Sequence, residues 1–213
     1  MLFIDFIKHI PKIEKEKLLS TMAHIKMAPF ERVASLDKFN IDYKNSKKAA
    51  VLILLYPKLG ITHMALIERN AYAGVHSSQI SFPGGKVEES DFDLLQTALR
   101  ETFEEVGVPS RKIKIIKPFS EIYIPPSNFL VYPFLGFCSE ELQFVPNAKE
   151  VKQVLEFPIA AFLDDSNVKQ IFINTSYATN TQVPAFVIDK FIIWGATAMI
   201  VSELKETFKK IVF

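Results

Sequence analysis

The chain has 213 residues, and its 25 Lys and Arg against 24 Asp and Glu leave a net charge of +1, which supplies no general attraction for nucleic acid or for a membrane surface. With 19 Phe and only 7 Gly it reads as a dense, aromatic-rich core of one domain, burying roughly 70% of its unfolded surface, rather than a flexible protein. The single cysteine, Cys138, excludes an intrachain disulfide and fits a reducing cytoplasm; it ends the apolar run from Val131, where a buried, inert thiol is expected.

Residues 2 to about 25 read as helical, with Phe3, Phe6, Ile7 and Ile10 forming one apolar set and Leu18, Leu19, Met22 and Ile25 another, separated by Pro11. The charges between them, Lys12 to Lys17, read as a solvated face. The first ten residues contain Asp5, Lys8 and His9 and show no signal-peptide pattern. The expected organisation is an N-terminal helical extension over residues 1–44, packed on a domain of residues 45–213 or on a second subunit.

The continuous apolar run Ala49 to Tyr56 has the length and composition of a central strand. Pro57 to Gly60 reads as a turn and Thr62 to Glu68 as its hairpin partner. Arg69 and Asn70 then lead through Gly74, His76 and Gln79 to Phe82-Pro83-Gly84-Gly85-Lys86. The next stretch predicts a helix, with Ser90 or Asp91 as N-cap, Gly107 as the left-handed residue after its last turn and Pro109 blocking continuation. At roughly 100° per residue, Glu101, Glu104 and Glu105 share one stripe of that helix. Phe92, Leu95, Leu99, Phe103 and Val106 share the other, which predicts a core-facing apolar side and an acidic side turned away from the core. Like charges at helical neighbours cost about 0.2–0.5 kcal/mol per pair, and a hard divalent cation with oxygen ligands offsets that cost.

Arg111 to Lys117 reads as an edge strand protected by its basic residues. Two strands joined by the Pro125-Pro126-Ser127-Asn128 turn follow, then a short helix or loop around Asn147 to Val151 that carries Glu150. Strand-like pieces occupy residues 171 to 193, and Trp194 to Leu204 predicts a final helix. The longest apolar run near the end, Phe191 to Val201, is too short to span a bilayer. A soluble protein follows from this reading.

The stretch from Gly85 through Arg100-Glu101-Thr102-Phe103-Glu104-Glu105-Val106-Gly107 resembles the Nudix hydrolase box, G-x5-E-x7-R-E-U-x-E-E-x-G-U with U apolar. Two positions depart from it. The segment to Arg100 is one residue longer, so that Asp91 stands where a Glu is usual, and Thr102 occupies an apolar position. The longer spacing, with Phe82-Pro83-Gly84-Gly85-Lys86 and Thr97-Ala98-Leu99-Arg100-Glu101, is similar to the coenzyme A diphosphohydrolase branch. Leu66 and Arg69 match that branch's upstream signature, while Asn70, Ala73 or Gly74, and Ser78 depart from it.

The resemblance covers about residues 45 to 205. It implies an α/β/α sandwich with a mixed central sheet flanked by helices, and metal-dependent hydrolysis of the diphosphate of coenzyme A or an acyl derivative to 3′,5′-ADP and 4′-phosphopantetheine or its acylated form. Mg²⁺ or Mn²⁺ is then expected on Glu101, Glu104 and Glu105 with the Gly85 carbonyl. Arg100 orients the carboxylates. Arg69, His76 and Gln79 are the substrate-binding candidates, with Lys47 and Lys48 as further candidates for a 3′-phosphate. The general base is left between Glu104 and Glu150. The alternatives are a Nudix hydrolase of another nucleoside diphosphate derivative, such as ADP-ribose or a dinucleoside polyphosphate, and a non-catalytic Nudix binding module. The partners expected are a small nucleotide substrate and a second copy in a homodimer, with no nucleic acid and no membrane.

Overall fold

A computed structural model of the protein describes residues 1–30, 33, 45–70, 79–174 and 180–212. His76, with Ala73, Gly74 and Ser78, lies outside the described residues.

The chain opens with helix α1 (Phe3–Lys15) and the short α2 (Thr21–His24). Strands β1 (Lys47–Lys58) and β2 (Ile61–Arg69) form the expected hairpin, turning at Leu59-Gly60, and the short β3 (Ile80–Ser81) and β4 (Gly84–Lys86) follow. Next come helix α3 (Leu94–Val106) and strands β5 (Lys114–Pro118), β6 (Ile122–Ile124), β7 (Phe129–Phe137) and β8 (Val151–Pro158). A short α4 (Ile159–Leu163), strands β9 (Val168–Ile173), β10 (Thr181–Ile188) and β11 (Phe191–Trp194), and helix α5 (Gly195–Val212) complete the chain.

Among the described residues, eight strands make one mixed sheet whose main path runs β3-β2-β1-β7-β5. β1 is parallel to β7 and antiparallel to β2 and β4, and β8 pairs antiparallel with β2. The basic strand β5 lies at the edge, as its lysines predict. β9, β10 and β11 form a separate antiparallel sheet.

Alternation along β1 divides the core in two. Ala50, Leu52 and Leu54 pack with Ala98 and Val106 of α3, while Ala49, Ile53 and Leu55 belong to the larger cluster on the opposite face with α1, α5 and the small sheet. Helices therefore flank a mixed sheet on both sides. Pro11 does not divide the first helix. α1 runs through it, anchored by Phe6 and Ile13, which are fully buried, and Phe6 stacks on Phe208 of α5 with ring centroids 6.2 Å apart. That burial outweighs the hydrogen bond the proline cannot donate.

The faces of α3 differ from the pattern its sequence suggests. Its buried residues are Thr97, Ala98, Thr102, Glu105 and Val106, whereas Phe92 and Phe103 are 92% and 56% exposed. The helix thus lays part of its acidic stripe inward, over the Gly84-Gly85 turn. Thr102 fits this tight contact because its hydroxyl donates to the Ala98 carbonyl at 2.6 Å and leaves no orphaned polar atom. The N-cap is Asp93, whose carboxylate accepts from the Gln96 N–H at 2.7 Å. Asp91 is engaged elsewhere. Gly107 ends the helix in the left-handed region, with φ 75°, as expected.

Candidate active site

The site is built from β4 and α3, held together by backbone that only glycine permits. Gly84 has φ 149°, and a Cβ there would strike the Ala50 carbonyl of β1. A Cβ on Gly85 would collide with the Glu101 carboxylate, so the absence of a side chain lets the helix carboxylate rest directly on the turn.

Glu105 is the innermost acid, 1% exposed. One carboxylate oxygen accepts from the Gly84 N–H at 2.8 Å and the other from the Arg69 guanidinium at 2.9 Å. Burial pushes its pKa up to about 7, against the opposing pull of Arg69 and the Gly84 N–H. Glu101 is shifted upward as well, chiefly by burial and against the opposing pull of Arg100, with the negative charges of Glu104 and Glu150 adding to the rise. Glu104 stands more open, its side chain 48% exposed.

Arg100 ties these groups together. Its Nε and one terminal nitrogen make a fork on the two oxygens of Asp91, at 2.8 and 2.9 Å. Its other terminal nitrogen reaches Glu101 and Glu104, each at 3.1 Å, and the Lys86 carbonyl accepts a further bond at 3.1 Å. Asp91 also accepts from Thr97 Oγ1 and from the Glu88 N–H, and the Arg100 fork holds its carboxyl well below the usual range. This Asp91 anchor is the element that sequence spacing undervalued. The signal was its place at the usual Glu position of the box, offset by the extra residue.

A second loop closes on the site from β8. The Asn147 N–H donates to the Glu105 carbonyl at 3.0 Å, the Val145 N–H to the Val106 carbonyl at 3.0 Å, and the Asn70 N–H to the Glu150 carbonyl at 2.9 Å. Glu150 is thereby brought close enough for its charge to raise both Glu101 and Glu105. Arg69 and Gln79 both line a cavity of about 610 Å³ that opens from the Gly84-Gly85 turn. Of the sequence candidates, Arg69, Gln79, Gly85, Arg100, Glu101, Glu104 and Glu105 converge here; His76 falls outside the described residues. Lys47 and Lys48 are exposed at the start of β1 beside this turn, where Ala49 pairs with Lys86.

Among the described residues, no three His, Cys, Asp or Glu side chains are gathered as a ready-made metal cage. The donor set is nonetheless one of hard oxygens, with the Glu101 and Glu105 carboxylates both shifted upward by burial even beside their arginines. Mg²⁺ commonly takes one or two carboxylates and completes its shell with water and substrate phosphates, and these residues fit that mode.

A carboxylate-bearing helix laid over a glycine turn on a mixed sheet agrees with a hydrolase acting on diphosphate bonds, the class to which the chain's relatives belong. The chain belongs to the NUDIX family, whose domain profile matches residues 46–173, more than half of its length. It is 32% identical over 162 residues to the uncharacterised Nudix hydrolase NudL of Yersinia enterocolitica, covering 76% of this chain and 82% of that one. It is 34% identical over 140 residues to the mitochondrial Nudix hydrolase 15 of Arabidopsis thaliana, covering 64% of this chain and 48% of that protein. Among solved structures, the Nudix hydrolase RenU of M. smegmatis shares the fold with a TM-score of 0.54 at 16% identity, covering 78% of this chain and 88% of that one. No helix among the described residues is long and apolar enough to cross a membrane.

Proposed function

We propose that the chain hydrolyses the diphosphate bond of coenzyme A or an acyl-coenzyme A, releasing 3′,5′-ADP and 4′-phosphopantetheine or its acylated form. The observation that carries this reading is the joined assembly of Phe82-Pro83-Gly84-Gly85-Lys86 with Glu105 and of Asp91 with Arg100. These contacts support the reading because residues of the longer box, Asp91 among them, meet one another in the fold.

Glu101, Glu104 and Glu105, with the Gly85 carbonyl, would hold Mg²⁺ or Mn²⁺, which supplies charge neutralisation at the phosphate oxygens and acidifies a water. The chain's own residues do the positioning. Arg100, clamped by Asp91, holds Glu101 and Glu104 in position and aimed. Arg69 fixes Glu105 and stands where the cavity meets the turn, so a diphosphate lying there meets its guanidinium. Water attacks one phosphorus, the bridging oxygen leaves on the other phosphate, and a carboxylate receives the water's proton. Among the described residues Glu104 and Glu150 are solvent-open carboxylates beside the site, and comparing the pH–rate profiles of Glu104→Gln and Glu150→Gln tests which is the base.

The test is incubation of the full chain with Mg²⁺ or Mn²⁺ and, separately, coenzyme A, ADP-ribose and a dinucleoside polyphosphate, with separation of the nucleotide products. Release of 3′,5′-ADP from coenzyme A, lost in Glu105→Gln, is the expected result. Turnover of ADP-ribose or the dinucleotide in place of coenzyme A keeps the chemistry and overturns the substrate. Turnover of none of the three turns the reading toward a binding module.

A further inference from the structure

The cavity of about 610 Å³ runs from the Gly84-Gly85 turn between the main sheet and the small sheet. It lies on the face of β1 opposite α3, since Ala49 and Val51 line it while Ala50 and Leu52 pack beneath the helix. Its charge is confined to one end. Among the described lining residues the cations are Arg69 and Lys86, both at the turn, and Arg69 is already committed to Glu105. The body is walled by apolar side chains from distant segments, with Phe129, Ile173, Val183, Trp194 and Ile200 facing the same space.

Such a chamber repels a phosphorylated nucleoside. A phosphate dianion carried into apolar walls without a paired cation bears a prohibitive desolvation penalty. An uncharged arm with a few amides suits it, provided the amides find partners, and the wall offers Gln79, Thr181 and Ser81. Ser81 Oγ is buried with no hydrogen-bond partner among the described residues, a polar atom that an amide of the right ligand would satisfy. Size agrees too. At roughly 30 Å³ for a water-sized group, the cavity of about 610 Å³ holds about twenty of them, the scale of a pantetheine arm.

The cations gather at the mouth. Lys47 starts β1 one strand step beyond Ala49 on the same face, Ala49 pairs with Lys86, and Lys47 Nζ lies 5.7 Å from the centre of the Phe129 ring at the cavity wall. Lys47 and Lys86 thus form an exposed basic rim beside the diphosphate site.

We propose that the cavity receives the non-nucleotide half of the substrate, an uncharged amide-bearing arm, and that the phosphorylated nucleoside lies across the Lys47–Lys86 rim. The placement rests on the coenzyme A reading above and adds the orientation of the substrate to it.

Trp194 is the chain's single tryptophan and lines the cavity, so its emission reports occupancy without any turnover. The full chain in Mg²⁺ is titrated with 4′-phosphopantetheine and, separately, with 3′,5′-ADP. A saturable shift of Trp194 emission with 4′-phosphopantetheine and none with 3′,5′-ADP is expected. A shift with 3′,5′-ADP alone, shifts of equal size with both, or no shift with either up to millimolar ligand overturns the placement. Two variants refine it. Ile173→Lys, which puts a cation into the apolar wall at a partly exposed position, should weaken 4′-phosphopantetheine at least about tenfold. Lys47→Gln should lower the preference for coenzyme A over its 3′-dephospho form, and an unchanged preference counts against the rim. Coenzyme A hydrolysis measured beside the titration keeps the two proposals apart. Hydrolysis with a silent Trp194 overturns the orientation and keeps the activity. A responsive Trp194 without hydrolysis of coenzyme A does the reverse.

Discussion

Along β1, Ala50, Leu52 and Leu54 turn toward α3 while Ala49 and Val51 turn toward the cavity, so successive residues of one strand serve two chambers of different chemistry. On the α3 side every acid has an assigned partner: Glu105 holds Arg69 and the Gly84 N–H, and Asp91, Glu101 and Glu104 share Arg100. On the cavity side the walls are apolar and the charges stop at the rim. The Gly84-Gly85 turn belongs to both. On the orientation proposed above, one chamber serves the reaction at phosphorus and the other selects what carries the phosphorus, and substitutions should separate them.

The largest separation is expected from Glu105→Gln. Removing this charge forfeits several kcal/mol of charge stabilisation, about 10³-fold in kcat. The amide can still accept from the Gly84 N–H, so the fold and the Trp194 response to 4′-phosphopantetheine should persist. Loss of both activity and that response would mean that the two chambers are one.

Next in size is the cost of keeping Glu105 charged inside the protein. Burial raises its pKa from 4.5 to about 7. A raised folded-state pKa favours the protonated fold, so this contribution to stability is complete below pH 4.5 and is lost as pH rises through about 7. The shift is worth about 3 kcal/mol at most. Without divalent metal, the urea midpoint should therefore fall between pH 5 and pH 8, and Mg²⁺ should reduce the fall. The Glu105→Gln variant should show a weaker dependence over the same window. A midpoint that rises with pH in the wild type and not in the variant would show that Arg69 dominates over burial.

Asp91→Asn comes third. The Asp91 carboxylate acts through Arg100, and loss of such a supporting contact costs about 10–100-fold in activity or metal affinity. The expected signature is a raised Mg²⁺ requirement that excess metal partly restores, with the Trp194 response unchanged. A fully active variant would remove Asp91 from the site.

The α3 chamber was largely legible in the residues because its parts are near in sequence and chemically unmistakable: a glycine pair, an Arg-Glu pair and two further acids at helical spacing. The cavity was not. Its walls come from β1, β7, β9, β10, β11 and α5, each supplying an ordinary apolar residue that any core would use, and only the packing of the small sheet against the large one turns them into a site. The hairpin of β1 and β2, the edge position of β5 and the buried Cys138, its pKa raised to about 11 by burial, follow from local pattern. Pro11 misled because the core contacts of Phe6 and Ile13 override a local preference.

Phe103 is where the two ways of reading α3 give opposite numbers. Helical periodicity places it on a core-facing stripe with Leu99 and Val106, and emptying a buried phenylalanine site costs about 3–5 kcal/mol. In the fold the helix is rotated so that Glu105 and Thr102 face inward, with the Glu105 carboxylate accepting from the Gly84 N–H, and Phe103 is left 56% exposed. Surface substitutions of that kind change stability by less than about 0.5 kcal/mol. Phe103→Gln should therefore leave the urea midpoint and the hydrolysis rate close to those of the parent chain. A loss of several kcal/mol would mean that the acidic stripe faces solvent after all, and the arrangement of Glu101 and Glu105 over Gly84 and Gly85 would fall with it.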